Sequence, residues 1–240
     1  MEHVIRGAHE AGINEFVIVV GYRADAMRQW LADRPIHNVS VDVVDNLEYH
    51  NDNGVSVLKA RRHIHGNFLL LMGDHIFEAG TARALLNEPL RPGEAILAVD
   101  PKLDSIFDVD DATKIRREGD CIVDIGKQNS ACDALDTGMF LCCPALFDTL
   151  ESAKVEGNCS SSAGMRVLAR NGRLRAFDIE DASWQDVDTP EAPAYAESSF
   201  DQRFLRCAAD GRWDIQHGPR RDESVYEFPA GDRNRQLRAP

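Results

Sequence analysis

Short, uninterrupted apolar runs recur along the first 180 or so residues, and helical patterns separate them. The clearest runs are Phe16–Val20, Phe68–Met72 and Ala95–Val99. Runs of this kind are typical of strands that are buried on both faces. Further strands are predicted at Val39–Val44, Thr137–Cys142 and Leu174–Ile179, and a hairpin at Thr113–Arg117 and Cys121–Ile125. Helices are predicted at Glu2–Gly12, Ala24–Ala32, Asn53–Arg62, Pro144–Ser152, Ala163–Asn171 and Pro190–Ser198.

This alternation of strand and helix predicts an α/β fold. We expect a Rossmann-like, mostly parallel sheet with helices on both faces, spanning residues 1–200. After Phe200 the periodicity ends, and Asp201–Pro240 mixes arginines with acidic residues around sparse apolar ones. Such a segment buries little apolar surface, so we expect residues 201–240 to be a poorly ordered tail.

The overall charge limits the kinds of ligand. The chain has 40 acidic and 27 basic side chains, giving a net charge of −13. Such a surface repels phosphate backbones and disfavours nucleic acid as a partner. A small phosphate ligand would instead need a metal ion or a few well-placed cations. The six cysteines form no CxxC pair, which indicates free thiols and a cytoplasmic protein. No apolar run approaches the roughly 20 residues of a membrane span.

The first candidate site is Gly73-Asp74-His75, directly after the run Phe68–Met72. Ligands of open α/β sheets bind beyond the carboxyl ends of the strands, so Asp74 is well placed to hold a divalent cation. The alternative is an ordinary turn or helix N-cap aspartate. A zinc site built from His63, His65 and His75 is disfavoured, because no fourth ligand has suitable spacing.

The second candidate is the segment Trp184–Asp188. In an extended chain Asp186 and Asp188 share one face, and two carboxylates on one face favour a hard cation such as Mg²⁺. Alternatively, Asp188 or Thr189 merely starts a helix that has Pro190 in its first turn.

Three further segments are weaker candidates. Lys127 follows a strand and could meet a phosphate, although an isolated lysine is more often a solvated surface residue. The segment Asp136-Thr137-Gly138 begins a strand where glycine permits close approach of a ligand. From spacing alone, Asn53-Gly54-Val55-Ser56 is best interpreted as a turn with an N-cap.

Taken in order, several segments resemble the nucleotidyltransferases that make nucleotide sugars and CDP-alcohols, and among them the inositol-1-phosphate cytidylyltransferase domain. In many members that domain is fused to a membrane-embedded CDP-alcohol phosphotransferase. The segments are AGINEFVIVVGY, NDNGVSVLKARRHI, FLLLMGDHIFE, ATKIRREGDCIVDIGKQNSACDALDTGMFL, GMRVLARNGRLRAFDI and WQDVDTPEA. The elements GDH, DIGK…DTG and W-x-DVDTP carry most of the specificity.

The resemblance implies a transfer of CMP from CTP to an alcohol phosphate such as inositol-1-phosphate, with release of pyrophosphate. Asp74 and Asp186 would hold the catalytic Mg²⁺, with Asp188 as second choice, and Gly73 would line the site. Lys127 would contact the phosphate of the acceptor. The acceptor pocket would be lined by Asp136, Thr137 and Gly138, and the nucleobase would lie near Asn53, Gly54 and Ser56.

Residues 1–50 contain no glycine-rich loop of the kind that holds the triphosphate in these enzymes. We therefore expect an N-terminally truncated domain with little or no turnover. The alternatives are a nucleotidyltransferase acting on another sugar-1-phosphate or on phosphocholine, and a non-catalytic remnant that binds a nucleotide or a polyol phosphate.

Overall fold

The computed structural model describes residues 1–103, 111–127, 131–155 and 157–187. The chain divides into the units Met1–Ser199 and Phe200–Pro240. The second unit and the helix predicted at Pro190–Ser198 lie outside the described residues, so the expectations for both stay predictions.

Strands and helices alternate over about the first hundred described residues, as the sequence predicts. The helices are α1 Glu2–Glu10, α2 Ala24–Asp33, α3 Asn53–Lys59 (continued by a 3-10 turn, Ala60–Arg62), α4 Ala79–Leu86, α5 Ala145–Val155 and α6 Ser161–Arg170. The strands are β1 Glu15–Val20, β2 Ser40–Asp45, β3 Phe68–Leu71, β4 His75–Phe77, β5 Ala95–Asp100, β6 Lys114–Glu118, β7 Cys121–Gly126, β8 Ala134–Cys142, β9 Leu174–Asp178 and β10 Trp184–Asp186.

The largest sheet of the described region has six strands in the order β3-β8-β5-β9-β7-β6. Strands β5 and β9 pair in parallel, whereas β8 lies antiparallel between β3 and β5. The sheet is therefore mixed. Strands β1 and β2 form a separate parallel pair.

Helices cover both faces of the large sheet, which confirms the predicted α/β class. Alternate residues of β5 belong to different cores: Leu97 packs with α5 and α6 on one face, and Ile96 packs with α1 and α4 on the other. All six residues of β5 are buried, as expected for a central strand.

Two elements were not assigned from sequence, namely β4 and α4. Strand β4 has only three residues and pairs antiparallel with β10, which is equally short. Helix α4 buries Ala82 and Leu85 against the sheet. Together these elements carry the polypeptide from the end of β3 to the start of β5, beside the candidate site.

Candidate functional site

The segment Gly73-Asp74-His75 lies in the turn that leads from β3 into β4. In the β4–β10 pair, His75 lies directly opposite Asp186, and the N–H of Val187 donates to the carbonyl of Asp74 at 2.9 Å. Directly opposite residues on antiparallel strands bring their side chains together. This pairing joins Asp74 and Asp186, which are more than a hundred residues apart in the sequence.

The two carboxylates and His75 form one cluster, hereafter the Asp74–His75–Asp186 cluster. One ligand-type atom from each residue lies within 4.8 Å of the other two. The Nε2 of His75 is 3.5 Å from Oδ2 of Asp186 and 3.9 Å from Oδ1 of Asp74. The side chain of His75 is mostly buried, whereas that of Asp74 is 54% exposed. The cluster is therefore buried on the His75 side and open to a ligand on the Asp74 side.

Strand β8 holds the imidazole ring of His75 in place. Its Nδ1 lies 2.7 Å from the carbonyl oxygen of Thr137, and because a carbonyl oxygen only accepts, Nδ1 carries the hydrogen. The ring also packs at 5.5 Å from that of Trp184. Gly138 has a φ of +73°, and a Cβ there would overlap with His75 Nδ1. Glycine at this position thus allows the ring to lie directly on the strand, with Nε2 directed at the carboxylates.

The carboxylates determine the charge of His75. Burial lowers its pKa, but the hydrogen bond and the negative charge of Asp186 outweigh burial and raise the pKa to about 9. The carbonyl of Thr137 and the charge of Asp74 act in the same direction. In the protein alone, His75 is therefore a cation shared by two carboxylates at neutral pH.

The cluster suits a divalent cation. Oδ1 of Asp186 is buried and has no hydrogen-bond partner among the described residues. A buried carboxylate oxygen without a donor is strongly disfavoured unless a ligand approaches it. Asp74 supplies a second, accessible carboxylate, and oxygen ligands of this kind are preferred by Mg²⁺. The His75 ring, held through Nδ1, presents Nε2 as a third group.

Trp184 anchors the strand that carries Asp186. Its Nε1–H donates to Oδ2 of the fully buried Asp100 at 2.9 Å, and Lys102 neutralises the same carboxylate at 2.8 Å. The buried side chain of Gln185 donates to the carbonyl of Asp186 at 2.7 Å. These contacts hold a strand of only three residues, whose own ladder contributes few hydrogen bonds.

Lys127 follows β7 and forms an ion pair with Asp111 at 2.7 Å. Both side chains are more than half exposed. Its backbone carbonyl accepts from Lys114 at 3.3 Å. The structure therefore places Lys127 in contact with an acidic partner outside the Asp74–His75–Asp186 cluster, and its role toward an acceptor stays a prediction.

The segment Asp136-Thr137-Gly138 forms an irregular stretch of β8. The pairing of β5 with β8 shifts between Leu97 and Val99, opposite these residues. Oδ1 of Asp136 accepts from the N–H of Gly138 at 2.8 Å, and the Thr137 hydroxyl donates to Ala98. Burial raises the pKa of Asp136 from its ordinary 3.8 to about 6, against the opposing effects of Gly138 and His75. These three residues support His75, and their contact with an acceptor stays a prediction.

The candidate nucleobase segment begins α3. Oδ1 of Asn53 accepts from the N–H of Ser161 at 2.8 Å, and the hydroxyl of Ser56 accepts from Asn46 at 2.9 Å. A Cβ at Gly54 would overlap with the carbonyl oxygen of Cys159. Asn53, Ser56 and Gly73 line one cavity, whereas Gly54 joins α3 closely to the segment that precedes α6.

His75 is the member of the cluster that the sequence analysis did not assign. The available signal is the position of His75 directly after Asp74, within the segment Gly73-Asp74-His75. His63 instead pairs with Asp42 at 3.4 Å. Asp188 lies outside the described residues, so its predicted role as second metal ligand stays a prediction.

The fold alone defines a class, since several solved nucleotidyltransferases share this architecture. The inositol-1-phosphate CTP transferase from T. maritima superposes with a TM-score of 0.71 at 21% identity, over 89% of this chain and 84% of that one. A UDP-glucose pyrophosphorylase complexed with UDP-glucose superposes with a TM-score of 0.66 at 15% identity, over 82% and 86%. The chain thus has the nucleotidyltransferase fold.

Comparison by sequence points to a narrower group of proteins than comparison by fold. The chain is 35% identical over 193 residues to the bifunctional IPC transferase and DIPP synthase of Rubrobacter xylanophilus. The match covers 80% of this chain and 43% of that protein, so the chain spans less than half of its relative. No model of a known protein family matches the chain. In the part of the chain that the structure describes, no helix has the length and apolar character needed to cross a membrane.

Proposed function

We propose that this chain is a cytidylyltransferase domain that transfers CMP from CTP to an alcohol phosphate, with inositol-1-phosphate as the preferred acceptor and Mg²⁺ as the metal. The Asp74–His75–Asp186 cluster carries this proposal. It lies at the carboxyl end of β3, where ligands of open α/β sheets bind. The sequence relationship to an IPC transferase favours cytidine and inositol over other bases and acceptors.

The reaction needs no nucleophile from the protein. A phosphate oxygen of the acceptor forms a bond to the α-phosphorus of CTP, and the bond from that phosphorus to the bridging oxygen breaks, releasing pyrophosphate. When bound, Mg²⁺ supplies charge neutralisation on the phosphate groups. The protein therefore contributes mainly positioning and electrostatics.

Asp74 and Asp186 are the residues that would hold the metal, with Asp188 as a further candidate. The exposed Asp74 can reorient toward an incoming nucleotide, while Asp186 is held by its short strand. His75 lies within 4 Å of both carboxylates and sets their spacing. Asn53 and Ser56 at the start of α3 offer polar groups to the nucleobase.

Lys127 is proposed to bind the acceptor phosphate after leaving Asp111. An exposed ion pair contributes only about 0–1 kcal/mol to stability. Exchanging Asp111 for a phosphate as the partner of Lys127 therefore costs little free energy. Lys127→Ala should raise the half-saturating concentration of inositol-1-phosphate by about tenfold or more, with little change for CTP. Lys154→Ala removes a comparably exposed lysine from α5 and is the matched control. Equal behaviour of the two variants would show that Lys127 is a surface residue only.

The proposed function is tested by following the reaction with phosphorus NMR. The chain is used at a concentration comparable to that of the substrates, so that slow turnover still registers. CTP is compared with UTP, and inositol-1-phosphate with glucose-1-phosphate and phosphocholine, all with Mg²⁺. We expect pyrophosphate and a CDP-linked product from CTP and inositol-1-phosphate, and loss of both in Asp186→Asn.

Faster reaction with another base or acceptor would replace the proposed substrates with those of a related nucleotidyltransferase. Binding of CTP without any product would favour the non-catalytic remnant. Free thiols at the described cysteines accord with a cytoplasmic enzyme, which we include in the proposal.

A further inference from the structure

The guanidinium group of Arg166 lies at the carboxyl end of β7. Arg166 is in the middle of α6, and this helix packs against β7 through the shared apolar core. Its Nη1 donates to the carbonyl of Ile125 at 3.4 Å. A Cβ added to Gly126 would lie 3.4 Å from the same Nη1. Arg166 is therefore beside the two residues that directly precede Lys127.

This guanidinium is half-buried and has no carboxylate partner among the described residues. By contrast, Arg117 of β6 and Arg175 of β9 each pair with two carboxylates. A guanidinium has five N–H donors, and in the described region Arg166 uses one of them in a long bond to a carbonyl oxygen. In a chain of net charge −13, an arginine without an acidic partner favours an external anion.

Two lysines add positive charge at the same place. Lys127 directly follows Gly126, and Lys114 lies opposite Gly126 in the β6–β7 pair. The Nζ of Lys114 donates to the backbone carbonyl of Lys127 at 3.3 Å. Lys127 itself pairs with Asp111, and both side chains of that pair are more than half exposed. Three cationic side chains are thus grouped around the last residues of β7.

Strand β8 relates these cations to the Asp74–His75–Asp186 cluster. Strand β6 pairs with Ala134 and Leu135 of β8, and β3 pairs with Met139–Cys142. His75 bonds to the carbonyl of Thr137, between these two pairings. The candidate nucleobase residues line a cavity together with β3. The cluster therefore lies between the nucleobase segment and the cations at the β6–β7 end, an order that suits an acceptor approaching a metal-bound nucleotide.

We propose that Arg166 is a further binding residue for the acceptor, and that it holds the acceptor's phosphate together with Lys127. The inference rests on the proposed function. A guanidinium can donate two parallel N–H bonds to two oxygens of one phosphate, whereas a lysine acts as a point charge. The family resemblance implies only Lys127 for this phosphate, so Arg166 adds the group that fixes its orientation.

The experiment follows the side-chain Nε–H resonance of Arg166 by NMR in the full chain. This resonance is assigned by its loss in Arg166→Lys. Inositol-1-phosphate, inositol, inorganic phosphate and CTP are added separately, at constant ionic strength. We expect the resonance to shift with inositol-1-phosphate and with inorganic phosphate, and to stay in place with inositol. CTP, whose phosphates share the same chemistry, should shift it far less than inositol-1-phosphate does.

Variants then connect this contact to affinity. Arg166→Gln should raise the dissociation constant of inositol-1-phosphate by about tenfold or more, and Arg166→Lys by less, because lysine keeps the charge and loses the paired donors. Arg170→Gln removes an exposed arginine from the last turn of the same helix and is the matched control. In turnover, Arg166→Gln should raise the half-saturating concentration of inositol-1-phosphate and leave that of CTP unchanged.

Three results would overturn the proposal. The first is an Arg166 resonance that no phosphate shifts, and the second is equal affinity for inositol-1-phosphate in Arg166→Gln and Arg170→Gln. The third is a larger shift with CTP than with inositol-1-phosphate, which would assign Arg166 to the nucleotide. A shift with inositol-1-phosphate in a chain that forms no product would support Arg166 as a phosphate-binding residue and contradict the proposed transfer reaction.

Discussion

At the scale of single residues, the most informative position is Gly138, because its lack of a side chain sets the position of His75. Gly138→Ala would introduce a Cβ into the His75 ring and a strained positive φ. Gly119→Ala, in the β6–β7 turn, is a matched control, since Gly119 has a φ of +66° and no neighbouring atom within 4 Å of an added Cβ. Both variants should lose about 1–3 kcal/mol of stability from strain. Only Gly138→Ala should also weaken Mn²⁺ binding at the cluster, by about tenfold or more. Equal Mn²⁺ affinities in calorimetric titrations would show that His75 does not support the metal ligands.

A second residue-scale prediction concerns Asp136. Its pKa is raised in the folded state from 3.8 to about 6, so the folded protein holds the proton more tightly than the unfolded chain does. The contribution to stability is present below pH 4 and is lost as the pH rises through 6. Asp136→Asn keeps the acceptor for Gly138 and removes the titration. The stability of this variant relative to the parent should therefore increase by about 2 kcal/mol between pH 4 and pH 7, in urea unfolding. A constant difference across that range would contradict the buried position of this carboxyl group.

At the scale of elements, the site depends on two strands of three residues each, β4 and β10. Such short strands are held by side chains, and the bond from Trp184 to Asp100 is the main anchor of β10. Trp184→Phe leaves the buried Asp100 without that donor and should lower the free energy of unfolding by about 1–3 kcal/mol. Trp30→Phe, on the half-buried surface of α2, should change it far less. A Trp184→Phe variant as stable as Trp30→Phe would mean that the ladder alone fixes β10.

These elements also show how far the sequence predicts the fold and the site. Continuous apolar runs predicted β1, β3 and β5 because burial on both faces leaves no polar positions. The hairpin β6–β7 was predictable from its Glu118-Gly119-Asp120 turn. The pairing of β4 with β10 was not, because three residues give no periodicity and the register depends on distant contacts. His75 was missed for the same reason, since its partners Thr137, Trp184 and Asp186 come from other strands.

At the scale of the whole molecule, a phosphate ligand requires a local charge that differs from the overall charge of the chain. A chain of net charge −13 repels a triphosphate, and the cluster itself contains two carboxylates. Only a bound cation makes these carboxylates attractive to phosphate groups. We therefore expect nucleotide binding to depend on metal loading, so that CTP should bind weakly in the presence of a chelator.

The most direct test of this account is titration of the chain with Mn²⁺, followed by electron paramagnetic resonance of the free ion. The variants are Asp186→Asn and, as matched control, Asp120→Asn in the exposed β6–β7 turn. We predict one site in the parent chain, tightened by CTP, with affinity lowered about tenfold or more in Asp186→Asn and unchanged in Asp120→Asn. Equal Mn²⁺ affinity in the parent and Asp186→Asn chains, with or without CTP, would contradict the assignment of the Asp74–His75–Asp186 cluster as the metal site of a nucleotidyltransferase.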